Sequence, residues 1–189
     1  MENGRATAPE PRAAPGELEM VRQLINSRSI QRGTDELTSI DALAAWLHNH
    51  DFNVDTTSLT DDSLQLFLRI REGLRALVMV NSGEPPEKTA LKGMESVAQR
   101  LGLGFQVGSD GSLSAVPSGN GLERAAGKLL LIAYRSMIDG TWARLKACSS
   151  DSCRYAFYDN SKNRTGKWCS MAVCGNRNKV RKYLKEHQA

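Results

Sequence analysis

The chain has 189 residues, 40% of them apolar and 24% charged, with a net charge of +4 at neutral pH. That length admits one ordinary globular domain plus a small appended module, or two small domains sharing a core, and excludes a large multidomain enzyme. No stretch approaches the roughly 18 consecutive apolar residues of a membrane span, and the opening residues lack the apolar centre of a secretory signal, so a soluble protein of a reducing cytoplasm is expected.

Residues 1–16 are Ala, Pro, Gly and charge with little to bury, and read as a disordered tail. Order is expected from about residue 17, where Leu18, Val21, Leu24 and Ile25 have helical spacing. A second helix follows Thr38 or Ser39, with Thr38 and Asp41 as a capping pair and Ile40, Leu43 and Leu47 as one apolar stripe. Asp61 and Asp62 open a longer helix whose Leu66, Ile70, Leu74 and Leu77 recur at offsets of 4, 4 and 3. Pro85 and Pro86 introduce the next, striped by Leu91, Met94, Val97 and Leu101 and stopped by Gly102.

The period then changes. Phe105 and Val107, the turn formers Ser109-Asp110-Gly111, and Leu113, Ala115 and Val116 alternate as a β-hairpin does. After Pro117-Ser118-Gly119 a long helix is expected with Leu122, Ala126, Leu129, Ala133 and Met137 inward, broken or kinked at Asp139-Gly140 before running on towards Lys146. Residues 17–141 thus read as a helical body with one small hairpin.

Residues 142–189 differ in kind. They hold eleven Lys/Arg against three Asp/Glu, whereas the rest of the chain holds fourteen against eighteen. A mildly acidic body with a strongly basic terminus suits a polyanionic partner. All four cysteines fall here, as Cys148-x4-Cys153 and Cys169-x4-Cys174 with fifteen residues between the pairs. Two close pairs brought together by a hairpin supply the four soft donors of a tetrahedral zinc site, and with four protein ligands the ion has no open position for water. Disulfides are disfavoured by the missing export signal. Spacing alone does not separate one structural Zn2+ from iron.

The hairpin is expected from Tyr155, Phe157 and Tyr158 as one strand, turns at Asp159-Asn160-Ser161 and Asn163 to Gly166, and Lys167-Trp168-Cys169 as the return strand. Gly175-Asn176 starts a final helix. On it Arg177, Arg181 and Lys185 lie at i, i+4 and i+8 with Lys179 and Lys182 beside them, while Val180, Tyr183 and Leu184 are placed to pack on the hairpin and body. Lys162, Arg164 and Lys167 add charge from the hairpin loop. Such a set neutralises phosphates and releases counterions; the plainer reading is a solvated helix face.

The string Cys169-Ser170-Met171-Ala172-Val173-Cys174-Gly175-Asn176-Arg177, preceded by Cys148-x4-Cys153 and Phe157-Tyr158-Asp159-Asn160-Ser161, resembles the CGNR zinc finger family of bacterial proteins. In that family the finger follows a domain known as ABATE, to which stress-induced transcription regulation is ascribed. Gln23 to Ser27 and Trp46-Leu47 resemble the opening of that domain. The resemblance implies that the four cysteines bind the metal and that Asn176, Arg177 and the basic residues after them face DNA.

His48, His50 and His187 lack ligand spacing, and Trp142 and Trp168 read as packing residues. No phosphate loop, nucleophile elbow or histidine-with-glutamate motif occurs, so no enzyme is expected. The expected architecture is α+β and mostly α: a helical N-terminal domain with one hairpin, then a small ββα tetracysteine finger. The expected function is DNA-binding regulation, with double-stranded DNA as partner, a homodimer compatible, and no effector assignable. The alternative is a zinc-stabilised protein-interaction module, and sequence does not separate DNA from RNA.

Overall fold

The computed structural model of the chain describes residues 12–187. Helices α1 (Leu18–Asn26), α2 (Ile40–Asn49), α3 (Asp61–Val80), α4 (Lys88–Ala98) and α5 (Gly121–Ile138) make the body. A two-residue ribbon, β1 (Arg28–Ser29) with β2 (Thr34–Asp35), lies between the first two helices, and the hairpin β3 (Leu103–Val107) with β4 (Leu113–Pro117) lies between the last two. A third two-stranded sheet pairs β5 (Leu145–Ala147) with β6 (Ala156–Tyr158), and helix α6 (Asn176–His187) ends the described chain. The α+β, mostly helical architecture is as expected, with three small sheets rather than one hairpin and a finger.

The helix stripes converge on one core. Val21, Leu24, Ile25, Leu43, Leu47, Phe67, Ile70, Leu74, Val78 and Leu129 are fully buried, each contributing roughly 1.5–3 kcal/mol by leaving water. Helix starts are fixed by short polar side chains: Ser39, one of the two residues expected to precede α2, and Thr60, one residue before the expected Asp61. Ser39 accepts from the Ala42 N–H, and Thr60 forms a reciprocal cap with Ser63, leaving Asp61 and Asp62 to complement the dipole of the first turn. Asn120 and Glu123 form the same reciprocal cap on α5.

Three expectations fail in the body. Residues 1–11 of the expected tail lie outside the described residues, but its last part is packed: Ala14 is buried, its N–H donating to Glu19 Oε2 at 2.7 Å. Helix α4 stops at Ala98, three residues before Leu101. Helix α5 ends at Ile138 and does not run on to Lys146. Gly140 takes φ of +78°, a left-handed conformation that ends a helix, and Lys146 sits in a strand. Met137 accordingly faces solvent rather than the core.

Beneath β1–β2 lies a buried ionic network that sequence spacing did not reveal. The Arg71 guanidinium, 3% exposed, donates to both Asp35 oxygens at 2.6 and 2.8 Å and to Ser27 Oγ at 3.2 Å. Burial alone would raise the Asp35 carboxyl, but hydrogen bonds from Arg71 and the Leu37 N–H more than offset this and hold it below its ordinary value. Arg75 donates to the carbonyls of Ile25 and Arg28, so α3 satisfies the end of α1 and the ribbon after it. Arg71→Met leaves Asp35 without its bidentate partner; the expected loss is about 2 kcal/mol of unfolding free energy, read from the urea midpoint at unchanged helix content.

Candidate metal centre

The centre is built from the β5–β6 sheet outwards. Leu145 pairs with Tyr158, Lys146 with Phe157 and Ala147 with Ala156, and the Cys148 N–H continues the ladder to the Tyr155 carbonyl at 2.8 Å. The chain between turns tightly, with Cys153 and Arg154 N–H groups both donating to the Ser150 carbonyl at 2.8 and 3.1 Å. The expected return strand over Lys167–Cys169 does not form; β6 takes β5 as its partner instead. Residues 167–169 run past as a single extended segment, held where the Ser149 N–H meets the Lys167 carbonyl at 2.8 Å.

The second cysteine pair brackets a π-helical turn, Met171–Gly175, that runs directly into α6. Ser170 caps it, its hydroxyl accepting from the Val173 N–H at 3.3 Å and its carbonyl from the Cys174 and Gly175 N–H groups at 2.9 and 3.0 Å. Gly175 is buried and tightly surrounded: a Cβ there would lie 3.0 Å from the end of the Met171 side chain and 3.4 Å from Trp168.

The four sulfurs converge. All lie within 4.8 Å of one another, with Cys153 Sγ 3.6 Å and Cys174 Sγ 3.7 Å from Cys169 Sγ. A tetrahedron of sulfurs about 2.3 Å from a central ion has edges of about 3.8 Å, so the donor set fits zinc. Cys148, Cys153 and Cys174 are buried and Cys169 is partly open, with Tyr155, Trp168 and Val173 packed around them. The cluster does not sustain four thiolates alone. Hydrogen bonds from Cys153 and Cys169 pull Cys148 down to about 2, while the bond to Cys148 pushes Cys153 up to about 12 and raises Cys169, and burial raises Cys174. A divalent cation supplies the missing positive charge. With all four positions taken by protein sulfur, the centre is that of one structural zinc ion.

A second organising group was read from sequence only as a turn residue. Asp159 is fully buried just after β6. Its carboxylate accepts from Ser161 N–H and Oγ at 3.0 and 2.7 Å, from the Gly166 N–H at 2.7 Å and from Lys146 Nζ at 3.0 Å. Lys146 also donates to the Arg164 carbonyl. Burial would raise this carboxyl, yet the Ser161 and Lys146 hydrogen bonds hold it well below the ordinary carboxylate range. The 160–166 loop is thereby wrapped around one buried anion.

The finger shares the body's core. Leu145, Ala147, Ala156 and Tyr158 belong to the same buried cluster as the helices. Asn26 pairs with both backbone groups of Ala156, donating at 2.9 Å and accepting at 2.8 Å, as a neighbouring strand would. On the other edge Ser82 accepts from the Ala147 N–H at 2.8 Å, and Asn81 donates to the carbonyls of Trp142 and Leu145. Arg12 belongs to this seam, its carbonyl accepting from the Tyr158 N–H at 3.0 Å. A cavity of about 490 Å3 lies along the junction, lined by Arg22, Trp46, His50, Tyr155, Cys169 and their neighbours. His50 stacks on Trp46 there at 3.9 Å rather than serving as a ligand.

The remaining candidate residues divide in two. Arg177, Lys179, Arg181, Lys182 and Lys185 are all exposed on α6, and Lys162, Arg164 and Lys167 are exposed on the loop before it. Among these, within the described residues, only Lys182 is ion-paired, with Glu186 at 3.7 Å. Asn176 is exposed, its amide donating to the Ala172 carbonyl at 3.2 Å, while Asn178 donates to the Cys174 carbonyl at 3.0 Å and ties the helix to the metal turn. The expected packing of Val180, Tyr183 and Leu184 on hairpin and body does not occur. All three are exposed, and α6 buries no residue.

A helical body whose core takes in the β5–β6 strands, with a closed four-cysteine centre in its own cluster beside them, defines a zinc-finger protein. Residues 18–139 match the ABATE family, described as "putative stress-induced transcription regulator", and residues 144–187 match the CGNR zinc finger family. The chain belongs to the ABATE family and carries a CGNR zinc finger. No curated protein matches it. Among the described residues, no helix is long and apolar enough to cross a membrane.

Proposed function

We propose that this chain is a non-enzymatic transcription regulator of the bacterial cytoplasm, and that its finger meets duplex DNA through α6 and the loop before it. The observation that carries the reading is α6 itself. It is a twelve-residue helix with nothing buried, five exposed cations, and its first turn fixed to the zinc centre. A helix so rich in charge has no packing reason to be held rigidly at one end, whereas presenting it to a polyanion gives the metal centre a purpose. Arg177, Lys179, Arg181, Lys182 and Lys185 then contact phosphates, with Lys162, Arg164 and Lys167 flanking, and Asn176 or Arg177 reaching towards base edges. The family's description supports a regulatory role.

A second reading is favoured by one observation: Val180, Tyr183 and Leu184 leave an apolar strip on α6 that suits a protein partner. A salt series separates the two. Binding of the full zinc-loaded chain to a mixed-sequence duplex, followed by fluorescence anisotropy, is expected to weaken steeply with salt. Changing Arg177, Arg181 and Lys185 together to Ala is expected to flatten the log–log slope by about 3. Negligible binding by the wild type, or a slope indifferent to the triple change, rejects the DNA reading.

A further inference from the structure

We propose that the open face of the β3–β4 hairpin is the surface through which two copies of this chain associate. The register pairs Leu103 with Pro117, Phe105 with Ala115 and Val107 with Leu113, and directly opposed residues of an antiparallel pair share a face. That face is therefore wholly apolar. Leu103, Phe105, Val107 and Leu113 are 60, 74, 73 and 67% exposed. The polar residues of the strands, Gln106 and Ser114, lie on the other side and are exposed as well, so the hairpin does not spend its apolar face on its own core.

The body holds the hairpin through the second half of β4, at the Pro117 end of this same face. Pro117 abuts Gly127 of α5, and Arg135 donates to the Ala115 carbonyl at 2.7 Å. Beyond that the hairpin stands clear, and neither strand carries a single charged residue. Sheet edges and faces left in water are ordinarily guarded by lysines, inward charges or bulges. Here Pro117 is the only such device, and it sits at the base.

The occupant is a second copy for two reasons. A flat, uncharged apolar face is complementary to itself, which is what a two-fold contact requires. At roughly 150–250 Å2 for an aromatic side chain and somewhat less for Leu and Val, the four residues present on the order of 500 Å2, so that a two-fold pair covering all of it buries about 1,000 Å2, the lower bound for a specific interface. The association stands whether or not the finger meets DNA.

Sedimentation velocity of the full zinc-loaded chain over a concentration series tests the assignment. The wild type is expected to pass from monomer to dimer, whereas Phe105→Lys with Leu113→Lys is expected to weaken association by about 100-fold. Ser114→Lys, on the opposite face, is expected to behave as wild type. Because every altered side chain is exposed, circular dichroism and zinc content should stay unchanged and establish that each variant is folded. A wild type that remains monomeric throughout overturns the proposal. So does a dimer that survives the double change, including one abolished instead by Val180→Lys with Leu184→Lys on α6.

Discussion

Removing the metal is expected to release residues 167–187 from protection against hydrogen exchange while helices α1–α5, the β5–β6 pair and the loop wrapped on Asp159 remain folded. The two halves of that expectation have different causes. Strands β5 and β6 keep their place without zinc because Leu145, Ala147, Ala156 and Tyr158 are buried among the helices and both sheet edges are tied to Asn26, Asn81 and Ser82. Beyond Gly166 the apolar burial is almost confined to the sulfurs, Trp168 and Val173, too little to order that segment by itself. Metal binding is therefore coupled to the folding of this segment, and it is the ion that holds the π turn and α6 in place. Cys174→Ser should act like chelation, since it removes the ligand on which α6 begins. Exchange mass spectrometry of the full chain, with and without chelator, gives the readout. Protection of α6 that persists after zinc is stripped would mean that something other than the metal orients it.

How far the sequence revealed this arrangement depends on the range of the interactions that decide each element. The helices were legible because stripes such as Leu66, Ile70 and Leu74 are a local signature of one buried face. The cysteine constellation was legible because metal chemistry imposes spacing. Both the β1–β2 ribbon and the exchange of strand partners in the finger escaped. A two-residue strand has no period to detect, and Leu145-Lys146-Ala147 reads equally as the tail of a helix until Gly140 is seen to take a positive φ. The role of Asp159 escaped for a related reason: its partner Lys146 is thirteen residues away on the paired strand, and a turn-forming Asp looks the same whether exposed or buried. The packing assigned to Val180, Tyr183 and Leu184 was wrong because an amphipathic pattern says only that one face is apolar, and nothing in the chain's local order says whether a neighbour lies within reach.

Asp159→Asn is expected to lower the unfolding free energy by about 3 kcal/mol at neutral pH, with zinc bound before and after. The substitution keeps the shape but turns one acceptor oxygen into a donor facing groups that already donate, and leaves the Lys146 ammonium, itself buried, without a counter-charge. The pH dependence separates charge from shape. The Asp159 carboxyl is held below its ordinary value in the folded chain, so its contribution is complete above the unfolded value near 4 and is lost as pH falls through the folded value. The gap between wild type and variant should therefore be widest near pH 7 and narrow below about pH 4. Zinc release on acidification lowers both proteins alike and is followed separately by metal analysis. A gap independent of pH would mean that Asp159 acts through its hydrogen-bonding shape, and that the 160–166 loop is held by geometry rather than by its buried negative charge.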